Sequence, residues 1–169
     1  MTIVIEESGM KFGPFAADDL FAHEQVLKKV QFGDHVKMVE FIVRLNTGKT
    51  NAVALVEARS SIPRNNNEFL DEIRDKMSHS LITWFASVVG RHPQVSPALP
   101  AHLRQRAHLK LVLQCYLVIP DVPDEYLPQF TDKFRQKMKA EIHLWPIKSE
   151  NIRVLNRARA NKVGLLASV

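Results

Sequence analysis

The sequence predicts a single α/β domain of mixed α+β type, with a central mixed sheet that contains an antiparallel hairpin and is flanked by helices. Two short apolar runs, residues 36–44 and 52–59, stand on either side of a six-residue polar turn, a pattern typical of a β-hairpin. Apolar residues then recur at helical spacing from about residue 67 to residue 89, which predicts one long amphipathic helix. Strand-like and helix-like segments alternate afterwards, and 169 residues are about enough for one core.

Ahead of the hairpin, the pattern predicts one strand and one helix. A β-type run covers residues 2–6, and the glycine and proline within residues 12–15 indicate a turn. Asp18 or Asp19 is a suitable N-cap for a first helix, which we expect to end near Gly33.

After the long helix, Gly90 and a proline-rich loop separate the two halves of the chain. Residues 111–119 are the most strand-like segment that follows. Helices are predicted over residues 125–139 and 150–163, with a short strand over residues 141–145 between them. No repeat or linker interrupts residues 1–169, so we expect one folding unit.

Composition indicates a cytoplasmic protein that does not span a membrane. The apolar runs are too short to cross a bilayer, and the first residues do not resemble a secretory signal. The single cysteine, Cys115, excludes an internal disulfide and a thiolate zinc cluster, and its apolar strand favours an inert core thiol. The net charge of +5 and the pI near 9.5 are compatible with a polyanionic partner such as DNA.

The positions of the acids in the hairpin are the most informative feature for function. Glu40 interrupts the first apolar run and Glu57 ends the second, although a carboxylate inside a buried strand is costly unless it is paired or binds a metal. A hairpin folded symmetrically about Gly48 and Lys49 places Glu40 opposite Glu57, with Cβ atoms about 4.5–5.5 Å apart. Mg²⁺ favours one or two such carboxylates together with waters and phosphate oxygens. Arg59 would point to the same face as Glu57.

Several ordered blocks resemble an uncharacterised bacterial family of the PD-(D/E)XK, or restriction-endonuclease-like, nuclease superfamily. The superfamily signature is a strand that carries an acid, a turn, and a second strand that ends in Glu-x-Lys. The blocks that carry the resemblance here are Glu6-Glu7-Ser8-Gly9, Phe12-Gly13-Pro14-Phe15, Val39-Glu40-Phe41-Ile42 and Val56-Glu57-Ala58-Arg59-Ser60-Ser61. The resemblance covers nearly the whole chain and implies a nuclease-like domain over residues 1–169.

Carried over by position, this resemblance implies a catalytic metal site. Glu40, Glu57 and the carbonyl of Ala58 would bind Mg²⁺ or Mn²⁺, and Arg59 would stand where the superfamily has its catalytic lysine. Glu24, on the first helix, matches an additional acid that some members contribute. Arginine stays protonated and cannot act as a base, so its presence at position 59 affects the expected turnover.

Other interpretations of the same residues remain open at this stage. Glu57 and Arg59 can form a structural ion pair, and Glu40 can pair with a cation from the long helix. Glu24 can be a solvated helix residue. Lys76 could replace the missing lysine from the adjacent helix, but we expect it to be a solvated surface residue.

Three functions follow from these alternatives. The first is a divalent-metal-dependent nuclease or nuclease-like DNA-binding protein, which the resemblance associates with bacterial defence or a mobile element. The second is a catalytically silent nuclease-fold subunit that binds a protein partner, which Arg59 favours. The third is an unrelated small-ligand binder, although the chain contains no glycine-rich phosphate loop.

Overall fold

The computed structural model describes residues 1–46, 48–49 and 51–166 and confirms the mixed α/β class. Its strands are β1 (Thr2–Glu7), β2 (Met10–Ala16), β3 (Leu20–Phe21), β4 (Phe41–Asn46), β5 (Asn51–Ala58), β6 (Val112–Val118) and β7 (Ile152–Leu155). Its α-helices are α1 (His23–Lys29), α2 (Asn66–Val88), α3 (Leu127–Lys137), α4 (Lys139–Leu144) and α5 (Arg157–Lys162).

The central sheet has five strands in the order β3-β4-β5-β6-β7. Its first half is antiparallel, since β4 pairs in opposite directions with β3 and β5. Its second half is parallel, since β6 runs in the same direction as both β5 and β7. The sheet is therefore mixed and β5 is its middle strand, as the hairpin pattern predicted.

The register of the central hairpin is the predicted one. Phe41 lies opposite Val56, and the pairing runs regularly to Asn46 opposite Asn51. Continued by one residue, this register places position 40 opposite position 57, although β4 itself begins after Glu40. Thr47 and Thr50 of the polar turn lie outside the described residues.

Helix α2 packs on one face of the sheet, as predicted. The Asn65 side chain caps it by accepting a hydrogen bond from the backbone N–H of Glu68. Trp84 is fully buried, and its indole N–H donates to the carbonyl of Leu103 at 2.9 Å. The helix also buries Phe69, Ile73, Met77 and Leu81, while Val88 packs partly buried against the same core. Within the described residues, no helix is both long and apolar enough to cross a membrane.

The opposite face of the sheet is covered by the β1–β2 hairpin, where the sequence prediction was partly wrong. Residues 12–15 were expected to form a turn, but they lie inside strand β2. The glycine and proline that suggested a turn instead accompany an irregularity in the pairing of β2 with β1, between Ile3 and Ile5. Gly13 has φ +102°, and a Cβ there would lie 2.8 Å from the carbonyl oxygen of Ile3, so only glycine fits.

The first helix is shorter than expected. Residues Ala17–Asp19 form a 3₁₀ turn and Leu20–Phe21 add a short edge strand before α1 begins at His23. Neither Asp18 nor Asp19 therefore caps α1. Leu20 and Phe21 are both buried, which explains why they pair with β4 instead of extending a helix.

Two predictions in the last third of the chain were also wrong. Residues 141–145 were expected to be a strand, but the segment belongs largely to helix α4. Residues 150–163 were expected to be one helix, but they contain strand β7 and the short helix α5. The strand is short and buried on both faces, so its pattern does not distinguish it from a helical segment.

Strand β7 forms one edge of the sheet, and helix α3 covers its outer backbone groups. The N–H of Val154 donates to the hydroxyl of Thr131 at 3.1 Å. The guanidinium of Arg135 donates to the carbonyl of Ile152 at 3.0 Å. These side chains occupy positions that a further strand would use.

Candidate acidic site at the end of the central hairpin

Glu57 is the most deeply buried acid of the site. It lies near the end of β5, and its side chain is 0% exposed. Its Oε1 atom accepts hydrogen bonds from Lys76 Nζ at 2.8 Å and from Arg59 Nε at 2.9 Å. Its Oε2 atom is buried, and none of the described residues forms a hydrogen bond with it. Burial raises the pKa of this carboxyl, and the two cations only partly offset that effect.

Lys76 is not the solvated surface residue that we expected. Its side chain is 11% exposed and ends against the buried carboxylate of Glu57. Lys76 follows Ile73 by three residues and precedes Ser80 by four, and both of those residues are buried. Positions three and four apart share a helix face, so this spacing was the available signal. Helix α2 thus places a lysine beside the buried acid of β5.

Arg59 follows β5 and bridges two acids. Besides its contact with Glu57, its terminal nitrogen donates to Glu72 Oε1 at 2.6 Å. Its guanidinium carbon lies 5.9 Å from the centre of the Phe69 ring. The ion pair between Glu57 and Arg59, one of the two interpretations left open, is therefore present. Glu72 is an additional member of the site that sequence reasoning missed.

Glu40 lies immediately before β4 and close to two other acids. Burial, followed by the charges of Glu57 and Glu24, raises the pKa of Glu40 to about 8. The expected alternative, an ion pair between Glu40 and a cation of the long helix, is not found among the described residues, because Lys76 pairs with Glu57 instead.

Glu24 is in the first turn of α1 and faces the same site. Its side chain is 27% exposed, and its Oε1 atom forms an ion pair with Lys28 Nζ at 2.7 Å. Burial alone would raise the pKa of Glu24, but the contact with Lys28 and the neighbouring Glu40 carboxyl lower it overall. Glu24 is therefore a partner of Glu40 in this site and not simply a solvated helix residue.

Glu7 is a further acid that the sequence analysis did not assign to the site. It ends β1, and its charge contributes to the raised pKa of Glu40. The block Glu6-Glu7-Ser8-Gly9 was the available signal, because it stands among the ordered blocks of the resemblance. Two sheets therefore contribute acids to one region.

Ala58 is the last residue of β5, directly after Glu57. Its side chain belongs to the core on the hairpin side of the sheet, whereas the side chain of Glu57 lies on the α2 side. The N–H of Arg59 donates to the carbonyl of Val118 at 2.9 Å, so pairing with β6 continues past Ala58.

A cleft of about 860 Å³ opens beside these residues. Helix α1, the segment before β4, and helix α2 form its walls. Its charged lining comprises the cations Lys28, Lys37, Arg59 and Lys76 and the acids Glu24, Asp34 and Glu72. Three of these cations are paired with acids: Lys28 with Glu24, Arg59 with Glu72, and Lys76 with Glu57.

The side chains can be tested for their fit to a divalent cation. Within residues 1–46, 48–49 and 51–166, no group of three acid, histidine or cysteine side chains is arranged to hold a metal ion. Mg²⁺ does not need such a group, because it binds through one or two carboxylates and keeps several waters. The unpartnered Oε2 of Glu57 and the neighbouring Glu40 carboxyl fit that smaller requirement.

Comparison of the chain with family models, with curated proteins and with solved structures gives no match. The geometry of the site, together with the resemblance noted in the sequence, therefore carries the functional argument.

Proposed function

We propose that the chain is a divalent-metal-dependent nuclease, or a nuclease-like DNA-binding protein, in which Lys76 of helix α2 replaces the lysine absent from position 59. The observation that carries this proposal is the 2.8 Å contact between Lys76 Nζ and the buried Glu57 carboxylate, beside Glu40 and Glu24. An acid pair with an adjacent lysine is one combination that can catalyse metal-dependent phosphodiester hydrolysis.

Glu40 and Glu57 would hold Mg²⁺ or Mn²⁺, with the Ala58 carbonyl as the third ligand that the resemblance implies. The bound cation would polarise the scissile phosphate and lower the pKa of a water. Lys76, with three N–H donors, can orient that water or neutralise charge that develops on the phosphate. Arg59 can steady a phosphate oxygen through its planar guanidinium, but it cannot accept a proton. Glu24 lies beside Glu40 and would help to orient its carboxyl.

The biological setting follows from the resemblance alone. Members of a nuclease family of this type would act on DNA in bacterial defence or in a mobile element, within the cytoplasm. The mildly basic composition supports an anionic substrate.

The proposal is tested by DNA cleavage with purified protein. Plasmid and single-stranded DNA are incubated with Mg²⁺ or Mn²⁺, and the wild type is compared with Lys76→Gln and Glu57→Gln. We expect each variant to lose roughly 10²–10³-fold in rate, the usual effect of removing a group that stabilises transition-state charge. Lys29→Gln, an exposed lysine on α1, is the matched control and should cut normally. Cleavage that survives Glu40→Ala combined with Glu57→Ala would exclude the site.

One observation favours the second candidate, a catalytically silent subunit that binds a protein partner. Both cations nearest Glu57 donate to the same oxygen, Oε1, and so form a closed ion-pair network without any ligand. If this network is purely structural, neither the wild type nor Arg59→Lys will cut any DNA in Mg²⁺ or Mn²⁺. The nuclease proposal would then be rejected in favour of the silent subunit.

A further inference from the structure

Arg59 stands between two clefts. The 860 Å³ cleft beside the acidic site and a second cleft of about 410 Å³ share Arg59 and Glu72 in their linings. The second cleft is otherwise lined by the segment after β5 and by the start of α2, including Ser60, Ser61 and Glu68. The pair formed by Arg59 and Glu72 therefore separates two spaces that would otherwise be continuous.

The two nitrogens of Arg59 are held by acids of very different accessibility. Its Nε donates to Glu57, which is 0% exposed and belongs to the buried network. Its terminal nitrogen donates to Glu72, which is 37% exposed and reaches in from the surface of α2. The Glu57 contact orients the guanidinium, and Phe69 lies beside its plane at 5.9 Å. Only the outer contact, to Glu72, can exchange readily with solvent or with a ligand.

We propose that Arg59 is a binding position for a phosphodiester of a nucleic-acid strand, and that Glu72 occupies this position until the phosphate displaces it. The inference rests on the proposed function and adds a residue that limits substrate affinity. A phosphate oxygen and a carboxylate oxygen bind a guanidinium in the same geometry, so the two compete for one donor. Lys37 and the exposed Lys28, which also line the main cleft, would attract the rest of the strand.

The test measures DNA binding in EDTA, where cleavage is absent. The dissociation constants of a fluorescent single strand and of a duplex are determined by anisotropy over a series of salt concentrations. Glu72→Gln should bind several-fold more tightly than wild type. The slope of log K against log salt should steepen by about one phosphate contact, roughly 0.7 for the single strand and 0.9 for the duplex.

Two further variants separate this competition from a general charge effect. Glu68→Gln removes the same charge from an exposed position one turn earlier on α2, whereas the described ion pairs of Arg59 are with Glu57 and Glu72. It should change affinity far less than Glu72→Gln. The double variant Arg59→Gln/Glu72→Gln should show no gain, because the freed donor is missing. Circular dichroism melting checks that each variant is folded, and Glu72→Ala should give the same direction of change.

The outcomes distinguish this inference from the proposed function. Tighter binding by Glu72→Gln that depends on Arg59 supports the inference. Equal affinity of wild type and Glu72→Gln, in a protein that binds and cuts DNA, overturns the inference and leaves the nuclease proposal intact. A gain of equal size in Glu68→Gln overturns it as well. If wild type and all variants neither bind nor cut DNA, both proposals fail.

Discussion

Replacing Lys76 with methionine measures how much its buried ion pair with Glu57 contributes to the stability of the fold. The change keeps an unbranched side chain, one atom shorter and uncharged. It leaves the carboxylate of Glu57, 0% exposed, with Arg59 as its remaining cation. Removing one partner of a buried ion pair costs about 3–5 kcal/mol, and we expect about 3 kcal/mol because Arg59 still donates to the same oxygen. For a domain of this size, that loss lowers the melting temperature by roughly 6–12 °C.

Lys28 offers a matched control for this experiment. Its contact with Glu24 is 2.7 Å long, close to the 2.8 Å contact of Lys76, but the lysine side chain is 73% exposed. Lys28→Met should therefore cost less than about 1 kcal/mol. Urea denaturation followed by tryptophan fluorescence measures both losses.

A third variant separates charge from packing. Glu57→Leu combined with Lys76→Met removes both charges, so it should recover most of the stability that Lys76→Met loses. Equal losses in Lys76→Met and Lys28→Met would refute the argument, because burial would then make no difference to the pair. A double variant that is as unstable as Lys76→Met would show that the loss comes from packing.

Four other outcomes follow from the structure. Trp84→Ala should lower the free energy of unfolding by about 3–5 kcal/mol in urea, since the indole is fully buried; an unchanged midpoint would show that this face is not core. The pKa of Glu40 in the folded chain is about 8, above its ordinary value of 4.5. Between these values the folded chain keeps a proton that the unfolded chain loses, so the free energy of unfolding falls as the pH rises from 4.5 to 8. Glu40→Gln should flatten that fall by up to about 1.4 kcal/mol per pH unit in metal-free urea titrations, whereas parallel profiles would contradict the shift. Mg²⁺ at a hundred times its dissociation constant should stabilise the wild type by about 2.7 kcal/mol in thermal melts; Glu57→Ala should abolish this gain, and an undiminished gain would place the ion elsewhere. Arg59→Lys should preserve or increase metal-dependent cleavage in the plasmid assay, and complete loss would show that the guanidinium itself is required.

The central hairpin and the long helix could be predicted because their signals are local. The polar turn at residues 46–51 fixes the register by symmetry, so the opposition of positions 40 and 57 follows from counting. The signal of the helix is the apolar spacing from about residue 67 to residue 89, and the observed helix covers Asn66–Val88. These are properties of neighbouring residues, and tertiary context does not change them.

The elements that were predicted wrongly depend on distant partners. Strand β7 has only four residues, and its conformation is decided by parallel pairing with β6, more than thirty positions earlier. Helix α4 is only six residues long, and its Ile142 packs partly buried against the main core. Within the site, Lys76 was mispredicted for the same reason. A lysine in a helix is usually solvated, and Lys76 is largely buried because it pairs with Glu57 on a distant strand.

The covered edge at β7 has a consequence for how the chain behaves at high concentration. An open sheet edge offers a row of backbone donors and acceptors to which a second molecule can add a strand, and repeated addition leads to aggregates. Here Thr131 and Arg135 already hold the outward-facing N–H of Val154 and carbonyl of Ile152. The opposite edge, β3, is only two residues long. Growth of the sheet from molecule to molecule is thus blocked at one end by side chains and limited at the other by length.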